Sequence, residues 1–420
     1  MSLLIFQMSV VLLVSMACGR AAHMLGQARV IGEIFGGILI GPSVFGRIAP
    51  HFFSGLFPQT SFGALESLST VGLILFLFVV GTELDLEHLR RQRTTALFAS
   101  LASILLPFSL AIASAPLFHN RFSPNGIGKI PFALFFGVSM SITAFPVLAR
   151  ILEERNLQTS PLGATALLCA ALDDVAAWML LAVAMTFIAV NGNGPGLYLR
   201  LLWLAAYVAV MFFIIRPLGR WLAARRSRDA LSHELLGLML AVALASAAVT
   251  DAIGVHPLFG AFLAGLCFPR VPQWQQVLRT RLETILSLVL LPLFFAITGL
   301  RTRLDLLSDV STWLWTGFVL LLAVVGKMGG AILGARFTGQ DWRSSLALGA
   351  LLNTRGLVEL IVLNIAYNAH VFSPTLFTML VVMALITTAI TVPILKYLEV
   401  SSDATLASGP LERASTTQFD

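Results

Sequence analysis

Two adjacent carboxylates, Asp173 and Asp174, stand inside the apolar run LLCAALDDVAAWMLLAVA. An acid in the middle of a membrane span costs at least ~2.5 kcal/mol, so it must face a partner, an ion or water. Neighbouring residues of a helix point about 100° apart, so the two cannot share one role. One can face a pathway while the other faces a neighbouring helix. A purely structural polar clamp between helices is the plainer alternative. Lys327, in VVGKMGGAILGAR, is the only lysine within an apolar run, and a buried ammonium needs a carboxylate. Asp173 and Asp174 are both available to it. Such a pair can trade its internal bridge for a bound cation; Lys327 could also do no more than neutralise helix ends. Gly326, Gly329 and Gly330 around it would let another backbone come close.

Two further stretches carry polar groups where an apolar helix would be interrupted. In SMSITAFPVLARIL, Phe145 and Pro146 follow Ser139, Ser141 and Thr143. A proline inside a helix removes a backbone hydrogen bond and kinks it. The hydroxyls can satisfy the freed groups or coordinate an ion. In LLNTRGLVELIVLN, Asn353, Thr354, Arg355, Gly356 and Glu359 occupy the equivalent place. Arg355 and Glu359 are four residues apart and can simply pair with each other, or can contact a substrate. Broken helices at matching places in two repeats mark the binding site of secondary transporters. Glu33, Glu83, Asp251 and His256 lie near segment ends and read as interfacial, with Glu33 able to line a funnel. The histidines lack metal-ligand spacing. Cys18, Cys169 and Cys267 fall in apolar segments and suggest no disulfide framework. No phosphate-binding glycine motif is present, and no cofactor is expected.

The elements that must hold these residues follow from composition. The chain has 420 residues, 57% hydrophobic and 11% charged. Soluble domains carry roughly a quarter charged residues, so an integral membrane protein is expected. The apolar stretches are too long and too unalternating for barrel strands, which leaves helices. Thirteen such segments run between residues 3 and 397; the first, 3–18, and the ninth, 255–268, are short. The first has no basic residues ahead of it and reads as a retained span, not a cleaved signal. Of 27 Lys and Arg residues, nineteen fall on the C-terminal side of this arrangement and six on the other. The remaining two, Lys327 and Arg355, lie within segments. Basic loops stay in the cytoplasm, which places the C-terminus there and the N-terminus outside. The same account explains the basic balance without a nucleic-acid partner. The short tail 399–420 is expected to be disordered, with no folded regulatory domain after the last segment.

GGILIG (36–41) resembles GAFLAG (260–265), and FLFVVGTELDL resembles LFFAITGLRTRLDL. Each match lies seven segments apart, an odd shift that inverts the second copy in the membrane. Repeat one spans about 3–190, a linker helix 199–221, and repeat two about 232–397.

At this point the motifs carry a family resemblance. VIGEIFGGILIGPS, SITAFPVLARIL, ALDDVAAW, TDAIGVHPLFGAFLAGL, LPLFFAITGLRT and NTRGLVELIVLN resemble the monovalent cation:proton antiporter superfamily, in its second branch with the Na+/H+ exchanger domain. They look most like the plant and fungal cation/H+ exchangers and their bacterial relatives. The resemblance covers nearly all of 1–398. It implies an all-α, polytopic fold of about thirteen transmembrane helices in two inverted repeats, usually a homodimer. Segments one to three and eight to ten would form a dimer domain. Segments four to six and eleven to thirteen would form a mobile core, with five and twelve crossing where they unwind. It implies exchange of Na+ or K+ for H+ by alternating access, in a plasma membrane expected to be bacterial. By matching motif, Asp174 would carry the transported monovalent cation and the proton in turn, and Asp173 would pair with Lys327. Thr143, with Ser141 and neighbouring carbonyls, would help coordinate the ion. Phe145, Pro146, Asn353, Thr354, Arg355, Gly356 and Glu359 would support the unwound helices. The plant exchangers tend to carry Asn in place of Asp173; the Asp–Asp pair with Lys327 looks like electrogenic antiporters. Potassium-efflux relatives carry a cytosolic nucleotide-binding domain that this sequence lacks. A cation channel and a sodium-coupled symporter of an organic anion are the competing readings, with a membrane sensor a third.

Overall fold

The computed structural model describes residues 2–83, 93–155, 157, 160–189, 197–226, 233–269 and 271–398. All regular structure among them is helical, as expected where backbone groups can find partners only within their own segment. The first half contains α1 (Ser2–Met24), α2 (Arg29–Ile40), the short α3 (Phe45–Ile48) and α4 (Pro50–Leu56), and α5 (Gln59–Glu83). It continues with α6 (Arg93–Phe122), α7 (Lys129–Ser141), α8 (Phe145–Glu154) and α9 (Pro161–Ala189). α10 (Leu197–Val210) passes through a π-helical turn, Met211–Ile215, into α11 (Arg216–Arg226). The second half begins with α12 (His233–Ile253), α13 (Pro257–Cys267) and α14 (Pro272–Ile285), and a second π turn, Leu286–Leu290, leads into α15 (Leu291–Arg301). α16 (Val310–Phe337), α17 (Trp342–Leu352), α18 (Leu357–Asn368) and α19 (Pro374–Tyr397) complete it.

Ten helical stretches among the described residues are long and apolar enough to cross a membrane, or eleven if the bent pair α17–α18 counts as one. α7 and α13 are shorter apolar helices. Length and composition therefore stop short of thirteen spans, for two physical reasons. The fifth apolar segment breaks after Ser141 into α7 and α8. The ninth yields only the 11 residues of α13, about 16 Å of helix against a hydrocarbon core of roughly 30 Å. The expected disordered tail, 399–420, lies outside the described residues.

Glycines decide how closely these helices approach. A Cβ at Gly37 would fall on the Ala296 carbonyl, and one at Gly299 on the Ile34 carbonyl, so α2 and α15 touch backbone to backbone. α5 and α13 touch in the same way, Gly81 against the Phe262 carbonyl and Gly265 against that of Phe78. Gly36 lies against Val14 of α1, and Gly260 against Ser246 of α12. These contacts weld α1, α2 and α15 into one unit and α5, α12 and α13 into another, and α5 packs on α15 to join the two into one body. A second seam joins α16 to α6, where Gly326 meets Pro107, Gly330 meets Ala102 and Gly334 meets Phe98 and Ala99. Spacing by four keeps these three on one stripe. Gly329, expected to share this role, is rotated off the stripe; its nearest neighbour is Leu106 Cδ2 at 3.7 Å.

Candidate functional site

α7 ends at Ser141 and α17 ends at Leu352, both fully buried. A helix end leaves carbonyls without intrahelical partners, so each buried end must be satisfied from elsewhere. Residues 142–144 and 353–356 are non-helical, and the two breaks meet. The Ala144 amide donates to the Thr354 carbonyl at 3.0 Å, and the Thr143 hydroxyl lies 2.9 Å from the Leu352 carbonyl. Gly356 is needed at the crossing because a Cβ there would sit 2.6 Å from Val147 Cγ2. The sequence placed Pro146 inside a kinked helix. The break instead precedes it, and Pro146 takes the second position of α8, following Phe145. A residue without an N–H costs nothing there, since first-turn amides have no partner to lose.

The first break is capped by cations. Arg355 Nη1 donates to the Ser139 carbonyl at 2.9 Å and Nη2 donates to that of Met140 at 2.8 Å. Lys327 Nζ donates to the Ser141 carbonyl at 2.5 Å. Positive charge is favourable at a helix C-terminus, where the backbone dipoles sum to a partial negative charge. Arg355 is also bound to Glu359 at 3.0 Å, with both side chains fully buried. The i, i+4 pairing is thus real, and Arg355 does more than pair. Ser141 contributes its carbonyl, while its hydroxyl turns back to Gly137 at 2.7 Å. The second break is capped by hydroxyls: Thr143 on Leu352, Thr354 on Leu351 at 2.7 Å, and Thr388 on Arg355 at 2.7 Å.

The two aspartates of α9 fare differently. Asp173 Oδ2 accepts from Lys327 Nζ at 2.7 Å and from Thr143 at 2.6 Å, and Oδ1 accepts from Ser100 at 2.6 Å. Ser103 lies 3.3 Å away. Lys327 therefore chooses Asp173. Asp174 is only 1% exposed, yet its Oδ1 has no hydrogen-bond partner among the described residues. Trp178, one turn further along the same face, stacks on Phe262 of α13 with centroids 6.0 Å apart. Asp174 thus lies on α9 one turn before the contact that Trp178 makes with α13. Asn353 is buried with neither amide atom bonded. A buried carboxylate with a free oxygen needs either a proton or a cation, and among the described residues no cation is paired with this one. Ser100 and Ser103 were absent from the sequence expectations. The signal was available: a hydroxyl pair just ahead of Pro107, as Ser141 and Thr143 stand ahead of Pro146.

A sequence model of the transmembrane part of sodium/hydrogen exchangers matches residues 9–398. The chain belongs to the sodium/hydrogen exchanger family. Cation/H(+) antiporter 20 of Arabidopsis thaliana is 41% identical over 402 residues, which cover 93% of this chain and 48% of that protein. This exchanger-family chain therefore spans about half the length of some curated relatives it matches. The Na(+)/H(+) antiporter NhaS4 of Synechocystis sp. is 40% identical over 370 residues, covering 88% of this chain and 90% of the relative. K(+)/H(+) antiporter 1 of Saccharomyces cerevisiae is 34% identical, covering 94% and 46%. The fold is also that of the sodium proton antiporter MjNhaP1 from Methanocaldococcus jannaschii, with TM-score 0.70 at 15% identity, covering 94% and 96% of the two chains.

Proposed function

We propose that this multi-pass membrane protein is a secondary active antiporter that exchanges a monovalent cation for H+, the two competing for Asp174. The carrying observation is the contrast within one buried pair. Asp173 is saturated by Lys327, Thr143 and Ser100, while Asp174, the next residue of α9, is equally buried and keeps an oxygen that no described residue bonds. Cation and proton cannot occupy that oxygen together, so each displaces the other, and moving either across the membrane completes half of an exchange. The relatives' names support the cation/H+ class; they include both a Na(+)/H(+) and a K(+)/H(+) antiporter.

The glycine contacts support a two-repeat arrangement. Gly36 of α2, against α1, and Gly260 of α13, against α12, occupy matching motif positions, and α2–α15 mirrors α5–α13. In that arrangement α7–α8 and α17–α18 are each one broken span and α13 a short one, which makes thirteen. The N-terminus lies outside and the C-terminus in the cytoplasm, on the distribution of basic residues. The glycine-welded body is the part that would pair two copies into a homodimer, and the helices around Asp174 are the part that moves.

The test is reconstitution of the full chain into vesicles holding a pH-sensitive dye. Na+, K+ or Li+ added to a preset proton gradient should dequench the dye, and Asp174→Asn should cut that response by at least ~100-fold, the scale of losing a sole proton-transferring group. An intact response in Asp174→Asn rejects the site. Conductance far above carrier rates without proton coupling would mean a channel, and sodium-driven uptake indifferent to pH a symporter.

A further inference from the structure

The seam between α18 and the glycine-welded body has a polar end. An open cleft of about 390 Å3, its mouth included, is lined by Glu66, Ser69, His256, Arg301, Asn364 and Asn368 among others. Hydrogen bonds run continuously across it. Arg301 Nη2 donates to Glu66 Oε2 at 2.7 Å, and Nη1 donates to Asn364 Oδ1 at 2.8 Å. Asn368 Nδ2 donates to the other Glu66 oxygen at 2.5 Å, and Asn364 Nδ2 donates to Thr298 Oγ1 at 3.0 Å. The Arg301 guanidinium also stands 5.6 Å from the centre of the Tyr367 ring. Glu66 on α5 and Arg301 on α15, paired with each other, thereby hold one face of the last two turns of α18.

The position of α18 gives this grip its meaning. α5 and α15 belong to the body welded by glycine contacts. α18 is the rigid half-helix that starts where the second break ends, next to Arg355 and Gly356. One end of the rod therefore carries the crossing that faces the aspartates, and the other is fastened across the seam. The bonds are also of the right kind for a part that opens. The Arg301 and Glu66 side chains are 13% and 34% exposed, and ion pairs this close to solvent add little to stability.

We infer that Glu66, Arg301, Asn364 and Asn368 form a latch that holds the seam shut at this face, and that exchange requires the latch to open. They are positioning residues, acting on the ion site through α18. The purpose of the latch rests on the exchange reading above, whereas its opening can be measured without any transport.

Ser69 is buried and lines the cleft, so Ser69→Cys reports seam opening. The full chain in detergent is treated with a maleimide, and labelling is read from the mass of the peptide carrying the new cysteine, which separates it from Cys18, Cys169 and Cys267. Adding Arg301→Gln should raise the labelling rate by about fivefold or more, as a shift in the open population requires. Asn368→Leu, at an exposed position and removing a single bond, should raise it less, and Arg301→Lys should stay near the parent. Ser15→Cys, buried in α1 of the welded body, should keep its rate. Unchanged labelling at Ser69→Cys in both Arg301→Gln and Asn368→Leu overturns the latch; should Arg301→Gln fail to fold, Asn368→Leu alone decides. Equal rises at Ser69→Cys and Ser15→Cys also overturn it, since they signify general loosening. A rise confined to Ser69→Cys, with no cation-driven proton movement in any variant, would keep the latch and remove the exchange reading.

Discussion

The two chain breaks solve one problem in two ways. Each leaves the carbonyls of a buried helix end in need of donors. At the first, 142–144, two full cations supply them, Lys327 and Arg355. At the second, 353–356, neutral threonine hydroxyls do so. The first helix end is therefore electrically quenched, while the end of α17 keeps the negative pole of its dipole. Asn353, whose side-chain amide is bonded to nothing among the described residues, stands at that unquenched end. The asymmetry teaches that two breaks of similar geometry can carry different charge at their helix ends.

That comparison can be broken experimentally. The largest stability effect is expected from Arg355→Gln, which strips the donors from Ser139 and Met140 and leaves Glu359 buried alone. Removing one partner of a buried pair costs about 3–5 kcal/mol, so thermal unfolding in detergent should fall sharply. Arg355→Gln with Glu359→Gln should regain part of the loss, because no isolated charge remains; if the double variant is no better than the single, the ion pair is not the source of the cost. Lys327→Ala acts on the other cap. It should weaken the dependence of exchange on membrane voltage in the vesicle assay, and unchanged voltage dependence would mean that Lys327 is only a cap. Thr143→Val should cost about 1 kcal/mol, the usual net worth of a hydrogen bond. It touches both Asp173 and Leu352, so it should also weaken apparent cation affinity, whereas an affinity identical to the parent would detach the second break from the ion site.

The smallest effect concerns Asp341, which caps α17 by accepting from the Ser344 amide at 3.0 Å. Hydrogen bonding from Ser344 holds its carboxyl below the usual carboxylate range. A depressed folded value means that the contribution is present above the unfolded value, about 3.9, and is lost as pH falls through the lower folded one. Asp341→Ala should therefore lower the melting temperature slightly at neutral pH, by the ~1 kcal/mol typical of a helix cap. The gap to the parent should close in strong acid; a gap constant down to that range would rule out the ionised cap.

How much of this could be read beforehand follows from cost. Asp173, Asp174, Lys327, Arg355 and Glu359 are expensive inside an apolar run, so each announces itself. Serine and threonine are cheap there, because a hydroxyl can bond to its own helix, as Ser139 does to Phe135 and Ser114 to Leu110. Only the place of Ser100 ahead of Pro107 hints at a different use, and its partner, an aspartate on another helix, is not local. The choice of Lys327 between two adjacent carboxylates depends on the rotation of α9 against α16, so the residues alone left it open and only the family resemblance pointed to Asp173. The break before Pro146 moved for a local reason, the freedom of first-turn amides. The latch residues were missed because they lie at segment ends, where polar side chains are ordinary.

The glycine contacts have a mechanical consequence. Where two backbones already touch there is no slack: α2 cannot slide towards α15, nor α5 towards α13, without atoms colliding. Compliance must therefore reside where helices meet through side chains, as Trp178 meets Phe262. The stiff plate and the yielding joint are set by the same few missing methyl groups, and adding one methyl at Gly37 would loosen the plate before it reached the ion.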